Sequence, residues 1–277
     1  MSVDQSPPAA RVAGPSTGRG TALVTGAARG IGAAVAARLA AEGYRVVLVD
    51  RCSGPDPDVV LGYRLASRDE LDATVAAIGP AATGIELDVR DLDAAQRAVS
   101  TVDDLRVVVT AAGVVWGGAP VWDMPGAAWQ EVFDVNVTGT YGVIAAAVPR
   151  LLDQPEPRTG RIVALASAGA SRGLPHMAAY SAAKHAVVGL VRSVAGELAD
   201  RGVTINAIAP GSTRTPILRA SAEAYRLGAV EEFIPHQPIG RLLDPSEIAD
   251  AVAWLCSPVA AAVTGSVVAV DGGMTAV

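Results

Sequence analysis

Tyr180 and Lys184 stand four positions apart, ahead of the apolar run Ala186-Val187-Val188-Gly189-Leu190-Val191. On a helix, that spacing puts both side chains on one face. A free phenol ionises near pH ~10. An ammonium one turn away favours the phenolate and lowers that value. A tyrosine so placed is a general acid–base group usable near neutral pH. Read alone, the pair is equally a core-edge tyrosine beside a solvated lysine, so the rest of the chain has to decide.

A second constellation lies near the start. Thr21-Ala22-Leu23-Val24-Thr25 reads as a buried strand, followed by Gly26-Ala27-Ala28-Arg29-Gly30-Ile31-Gly32 and an alanine-rich helix. Gly26 permits a tight turn, Gly30 lets a pyrophosphate approach the backbone, and Gly32 lets helix and strand pack closely. The helix N-terminus then offers free N–H groups to the phosphates. Asp50 ends the next strand, 18 residues after Gly32. A carboxylate there accepts the adenosine ribose hydroxyls and repels a 2′-phosphate, which selects NAD over NADP. Arg29 and Arg51 pull the other way, since a guanidinium beside the ribose can hold that phosphate.

The elements that must position these groups are legible as alternation. Apolar strands are expected at 21–25, 45–50, 84–87, 105–110, 161–166, 203–209 and 267–270, with helical patterns at 31–42, 92–102, 127–152, 178–201 and 245–256. Near-continuous apolar strands separated by helices predict a parallel sheet covered on both faces. The fold class is α/β: one doubly wound, Rossmann-type domain over residues 21–277, with a seven-stranded parallel sheet and helices on both faces. Residues 1–20, rich in Pro, Ala, Gly and Ser, read as a disordered tail.

Composition narrows the function classes. The 277 residues are 51% hydrophobic and 4% aromatic, with a net charge of −6. No basic patch suggests a nucleic-acid partner. No polar-free apolar stretch reaches membrane-spanning length, and no apolar signal core opens the chain. Cys52 and Cys256 have no metal-ligand spacing, and His176, His185 and His236 form no zinc pattern. The expectation is a cytoplasmic protein with no metal, membrane or nucleic-acid partner.

Thr25-Gly-x-x-x-Gly-x-Gly32 together with Tyr180-x-x-x-Lys184 resembles the short-chain dehydrogenase/reductase family, from about Thr21 to the C-terminus. Further family positions follow in order: Asp88-Val89 after the third strand, where the family contacts adenine; Ala112-Gly113 after the fourth; Asn136; Ser167 after the fifth; and Pro210-Gly211-Ser212-Thr213-Arg214-Thr215 after the sixth, like the segment that holds the nicotinamide carboxamide. Thr110-Ala111-Ala112-Gly113 departs from the family's more usual Asn-Asn-Ala-Gly. The resemblance implies hydride transfer between a secondary alcohol or ketone and NAD. Asn136, Ser167, Tyr180 and Lys184 are then the catalytic set. Tyr180 moves the proton, Lys184 lowers its pKa and grips the nicotinamide ribose, Ser167 hydrogen-bonds the substrate oxygen, and Asn136 anchors a water. Gly26, Arg29, Gly30, Ile31, Gly32, Asp50, Arg51, Asp88, Val89, Ala112, Gly113, Tyr180, Lys184, Pro210, Gly211, Thr213 and Thr215 hold the cofactor.

The gap from Asp50 to Asp88 is longer than in most family members and contains the insert Leu61 to Leu71. With His176-Met177-Ala178-Ala179-Tyr180 and His236-Gln237-Pro238-Ile239-Gly240-Arg241-Leu242-Leu243, it resembles the branch associated with mycofactocin. Members of that branch hold a non-exchanging nicotinamide and pass electrons to a peptide-derived redox carrier. The other reading of the insert is a longer surface loop without effect on exchange. A lid is expected over about 215–240. Trp116, Leu174, His176, Met177, Leu218 and Phe233 are expected to line an apolar pocket for a small hydrophobic alcohol or ketone. Apolar helices at 127–152 and 178–201 imply, by the resemblance, a homotetramer. The alternatives are a freely exchanging ketone or 3-oxoacyl-carrier-protein reductase, and a non-enzymatic NAD-binding redox sensor on the same fold.

Overall fold

The computed structural model describes residues 18–54 and 60–276, so most of the expected tail, residues 1–17, lies outside the described residues. Seven strands form one parallel sheet in the order β3-β2-β1-β4-β5-β6-β7. They are β1 (Thr21–Thr25), β2 (Arg45–Asp50), β3 (Ala82–Glu86), β4 (Leu105–Thr110), β5 (Arg161–Leu165), β6 (Thr204–Pro210) and β7 (Val267–Val270). β1, β5 and β6 are buried at every position, because both faces of a central parallel strand are covered. The edge strands β3 and β7 are only partly buried.

Two apolar layers sandwich the sheet. On one face pack α3 (Leu92–Ser100), α4 (Gly126–Phe133), α5 (Thr140–Leu152) and α6 (Ala178–Glu197). On the other pack α1 (Gly30–Ala41), α2 (Arg68–Ile78) and α8 (Pro245–Cys256). A short helix, α7 (Pro216–Ala224), and a 3₁₀ segment, Val230–His236, fill the stretch expected to be a lid.

Two departures from the sequence reading have local causes. α2 was not among the expected helices. Only Leu71 of its residues is buried, so it carries no apolar stripe, and its start is set instead by the Ser67/Glu70 capping box. The helix expected at 127–152 is interrupted by a π-helical stretch, Asp134–Gly139, at whose end Gly139 lies where an added Cβ would stand 3.0 Å from Val89 Cβ. The 27-residue run Gly126–Leu152 is long and apolar enough by length and mean composition to cross a membrane, but it contains Gln130, Glu131, Asp134 and Asn136, and 56% of its most apolar window is buried in this fold, as in a core helix.

Because all strands are parallel, the loops after β1, β2, β4, β5 and β6 open at one edge of the sheet. They surround a single cavity of about 610 Å³. Ligands of open α/β sheets bind at this carboxyl edge, where the strand order reverses on either side of β1.

Candidate active site

Every cofactor residue named from the sequence lines this cavity, as do Asn136, Ser167, Tyr180 and Lys184. At one end is the turn from β1 into α1. Gly26 has φ +65°, and a Cβ there would lie 2.7 Å from the Ala112 nitrogen; a Cβ at Gly32 would collide with the Gly26 carbonyl. Gly30 has φ +62°, yet an added Cβ would meet nothing closer than Thr215 at 3.6 Å. The first two glycines therefore serve packing, while the third leaves room in front of the backbone. Arg29, at the N-cap of α1, makes no side-chain cap, so the opening N–H groups keep their capacity for an anion. These features fit a pyrophosphate. Asp50 fits a ribose beside it, fixed by the Ala28 N–H donating to Oδ2 at 3.1 Å. Burial pushes its carboxyl up against the backbone N–H bonds that hold it down.

The expected chemical groups meet where β5, α6 and the π-helical stretch converge. Ser167 follows β5; its Oγ accepts from Gly169 N–H at 3.0 Å, which caps a 3₁₀ turn, and its hydroxyl acts on the Tyr180 phenol so as to lower its pKa. Capping and chemistry thus share one hydroxyl. Asn136 is fully buried. Its amide donates to Val114 O at 2.9 Å and Val132 O at 2.8 Å, and its Oδ1 accepts from Val114 N–H at 3.3 Å. Both amide protons are used as a brace, which leaves only acceptor capacity on Oδ1 for the water expected there.

The electrostatics correct one expectation. Lys184 lies one turn from Tyr180, but its Nζ donates to Leu165 O at 2.7 Å and stands 5.7 Å from the phenol ring centre. Burial raises the Tyr180 phenol above its ordinary value, and the Ser167 hydrogen bond opposes this only in part. Burial also pushes the Lys184 ammonium down, to about 8. The sequence spacing set the geometry correctly but omitted desolvation, which disfavours both charged forms.

Four of the expected pocket residues, Leu174, Met177, Leu218 and Phe233, line the opposite end of the cavity. Trp116 and His176 do not. Trp116 packs into the core layer beside α4–α6. His176 adopts φ +63° in a turn that leaves it exposed. The 3₁₀ segment is held by an edge-on contact of Phe233 with Tyr225, centres 6.1 Å apart, and the Tyr225 hydroxyl donates to Pro175 O at 2.6 Å. Met274 also lines the cavity, and its carbonyl accepts from Arg172 at 2.9 Å.

Two contributors escaped the sequence reading. Tyr63, from the insert, accepts the Val115 N–H at 3.0 Å and packs with Met177 and Tyr180. Burial raises its phenol strongly. The available signal was an aromatic residue inside an insert of a chain with few aromatics. Glu131 of α4 also reaches the cavity, beside Arg51, Asp88 and Arg90; nothing in its local sequence marks it. The insert itself lies against the glycine turn, with Arg29 donating to Arg64 O at 2.8 Å and both arginines paired with Glu70. Cys52 and Cys256 are free thiols, and among the described residues no cluster of three or more His, Cys, Asp or Glu side chains could hold a metal.

Comparison with known proteins agrees with this geometry. A family model described as enoyl-(acyl carrier protein) reductase matches residues 26–275. The (-)-trans-carveol dehydrogenase of Rhodococcus erythropolis is 36% identical over 273 residues, covering 92% of this chain and 96% of the relative. A solved carveol dehydrogenase from Mycobacterium avium, in complex with NAD, superposes with a TM-score of 0.85 at 30% identity, covering 96% of this chain and 99% of that one. A short chain dehydrogenase from Mycobacterium paratuberculosis bound to NAD gives 0.83 at 32% identity, covering 95% of this chain and 100% of that one. The glycine turn, the Ser167–Tyr180–Lys184 cluster and full-length likeness together establish that this chain belongs to the short-chain dehydrogenase/reductase family.

Proposed function

We propose that this oxidoreductase interconverts a small hydrophobic secondary alcohol and its ketone with NAD as cofactor. The observation that carries the reading is the position of Ser167 and Tyr180, between a glycine-and-aspartate cradle and an apolar wall of one cavity. When bound, NAD supplies the hydride acceptor. Gly26, Gly30, Gly32 and Asp50 hold its adenosine diphosphate half. Pro210, Gly211, Thr213 and Thr215 flank the nicotinamide half.

In the oxidation direction the Tyr180 phenolate takes the alcohol proton, and in reduction the phenol returns it. The Ser167 hydroxyl donates to the substrate oxygen and stabilises charge that develops on it. Lys184 contributes positive charge below about pH 8 and fixes the strand end through Leu165 O. Asn136 keeps the loop after β4 in register with α4 and so keeps Gly113 beside the reaction centre.

Leu174, Met177, Leu218 and Phe233 favour an apolar substrate body, and a relative named for carveol supports the same class. The insert packed over the glycine turn supports slow or absent cofactor exchange, with reoxidation through mycofactocin. Exposed Trp122, Trp129, Tyr141 and Trp254 support self-association, as a homotetramer in the cytoplasm.

The test mixes the purified protein with excess NAD and a panel of hydrophobic secondary alcohols, following free and protein-bound reduced nicotinamide. Alcohol-dependent reduction is the expected result, and none across the panel overturns the substrate class. A one-equivalent burst restarted only by an artificial electron acceptor supports a trapped cofactor. Many turnovers of free NADH remove the mycofactocin coupling.

A further inference from the structure

Tyr63 comes from the stretch between β2 and α2 and lines the cavity. Its ring packs against the small cluster of Val115, Met177 and Ala220, on which Leu174 and Tyr180 also rest. One bond fixes its tip: the Val115 N–H donates to the phenol oxygen at 3.0 Å. A phenol can accept hydrogen bonds and has one proton to donate. At Tyr63 the oxygen is engaged as an acceptor, while among the described residues nothing accepts its proton. Burial raises this phenol strongly, so the proton stays on the oxygen. The result is a neutral donor, taken out of water, whose cost is offset only when an acceptor enters the cavity.

Two observations say what that acceptor is. The first is that Tyr63 does not join the reacting groups. Ser167 acts on the Tyr180 phenol, so those two hydroxyls converge on one substrate oxygen. Tyr63 is tied instead to Val115, in the loop after β4. The second is that the other hydroxyls at this end of the cavity are spent. Tyr225 donates to Pro175 O at 2.6 Å and Ser221 donates to Ile217 O at 2.9 Å. Around them the walls are hydrocarbon, from Leu174, Met177 and Leu218. An apolar substrate body held there meets one hydroxyl proton besides those at the reaction centre.

We propose that Tyr63 is a specificity-determining residue, whose hydroxyl donates a hydrogen bond to a second oxygen carried on the apolar body of the alcohol, apart from the oxygen that reacts. This rests on the functional reading above and narrows its substrate class to hydrophobic secondary alcohols that bear a further acceptor oxygen on the carbon frame. No bond forms or breaks at Tyr63. The contact is the same in ground and transition states, so it is expressed in binding.

The experiment measures kcat and KM for oxidation of matched alcohols by the purified protein, supplied with NAD and an artificial electron acceptor. Each pair is a methoxycyclohexanol and the ethylcyclohexanol substituted at the same ring carbon, with all ring positions sampled. The two differ by an ether oxygen in place of a CH₂, and a pocket without a donor favours the more apolar ethyl member. The parent should favour the methoxy member of at least one pair by at least ~10-fold in kcat/KM, the scale of one donor that would otherwise be buried unpaired. Tyr63→Phe should abolish that preference, with the loss falling on KM rather than kcat. A parent that favours no methoxy member overturns the proposal, and this measurement decides even if Tyr63→Phe does not fold. A preference that survives Tyr63→Phe overturns it too, as does a tenfold weaker NAD dissociation constant in that variant with the preference intact, which would assign the donor to the cofactor. No oxidation of any pair overturns the functional reading and this inference with it; oxidation without the preference overturns this inference only.

Discussion

At the glycine end of the cavity, a single carbon added at Gly26 would press to within 2.7 Å of the Ala112 backbone. At the opposite end, Phe233 is half-buried on a 3₁₀ segment and meets Tyr225 edge-on at 6.1 Å. The first end is made of backbone and tolerates almost no change of shape. The second is made of side chains on short elements, with room to repack. A fixed cofactor needs the former. A substrate site that differs among relatives of one family is built from the latter.

The sharpest test of this contrast lies at the boundary between the two ends. Tyr180→Phe removes the proton carrier and should lower kcat by at least ~10²-fold, the scale of one general acid–base group. NAD affinity, measured by calorimetry, should hardly move. Normal turnover in the Phe variant would falsify the mechanism.

Gly32→Ala should do the reverse of a substrate-pocket change. The added methyl collides with the Gly26 carbonyl, so NAD affinity should fall by more than ~10-fold, and thermal stability should drop by about 1–3 kcal/mol, as for overpacking. Stability and affinity equal to the parent would show that the glycine turn is softer than its geometry implies.

Tyr63→Phe probes the link between the ends. It strips the acceptor from the Val115 N–H, at a cost of about 1–3 kcal/mol for a buried donor left unpaired. Denaturant unfolding reads that loss, and KM for the alcohol should rise more than the NAD dissociation constant.

Phe233→Ala should shift KM among alcohols of different size by only a few fold, roughly 1–2 kcal/mol for a half-buried aromatic, with NAD affinity unchanged. An equal loss for both ligands would erase the distinction between the ends.

The last effect is in pH. Lys184 titrates at about 8 when folded against 10.5 for an ordinary lysine. Between those values the unfolded chain binds more protons, so this group makes stability rise as pH increases from about 8 to 10.5. Below that window the unfavourable burial of its charge is fully present. The stability difference between parent and Lys184→Met should therefore move in favour of the parent across that range, and a flat difference would refute it.

Much of this was legible in the amino-acid sequence, for identifiable reasons. Central parallel strands are apolar at consecutive positions, so β1, β2 and β4 stand out without alignment. Gly26, Gly30 and Gly32 declare a turn because no other residue fits those backbone positions. α2 was illegible because one buried leucine makes no periodicity. Tyr63 was illegible because its partner, Val115, is remote in sequence. The Tyr180–Lys184 pair was half legible: spacing gives proximity, but the cost of burying each charge depends on residues from β5 and α4 that the spacing does not contain. Glu131 belongs to the same class, since its ion-pair partners Arg51 and Arg90 lie outside α4 and remote in sequence.

The wall completed by Met274 has a temporal consequence. Asp271 folds the last turn, accepting from Gly273 and Thr275 N–H groups at 3.0 Å each, and so presents the Met274 carbonyl to Arg172. The cavity therefore draws on residues from Gly26 to Met274. During translation the cradle can take shape early, but the opposite wall cannot close until nearly the whole described chain has left the ribosome. Until then the nascent protein offers a half-built nucleotide site with an open flank, and binding there can stabilise the partly made sheet before any turnover is possible.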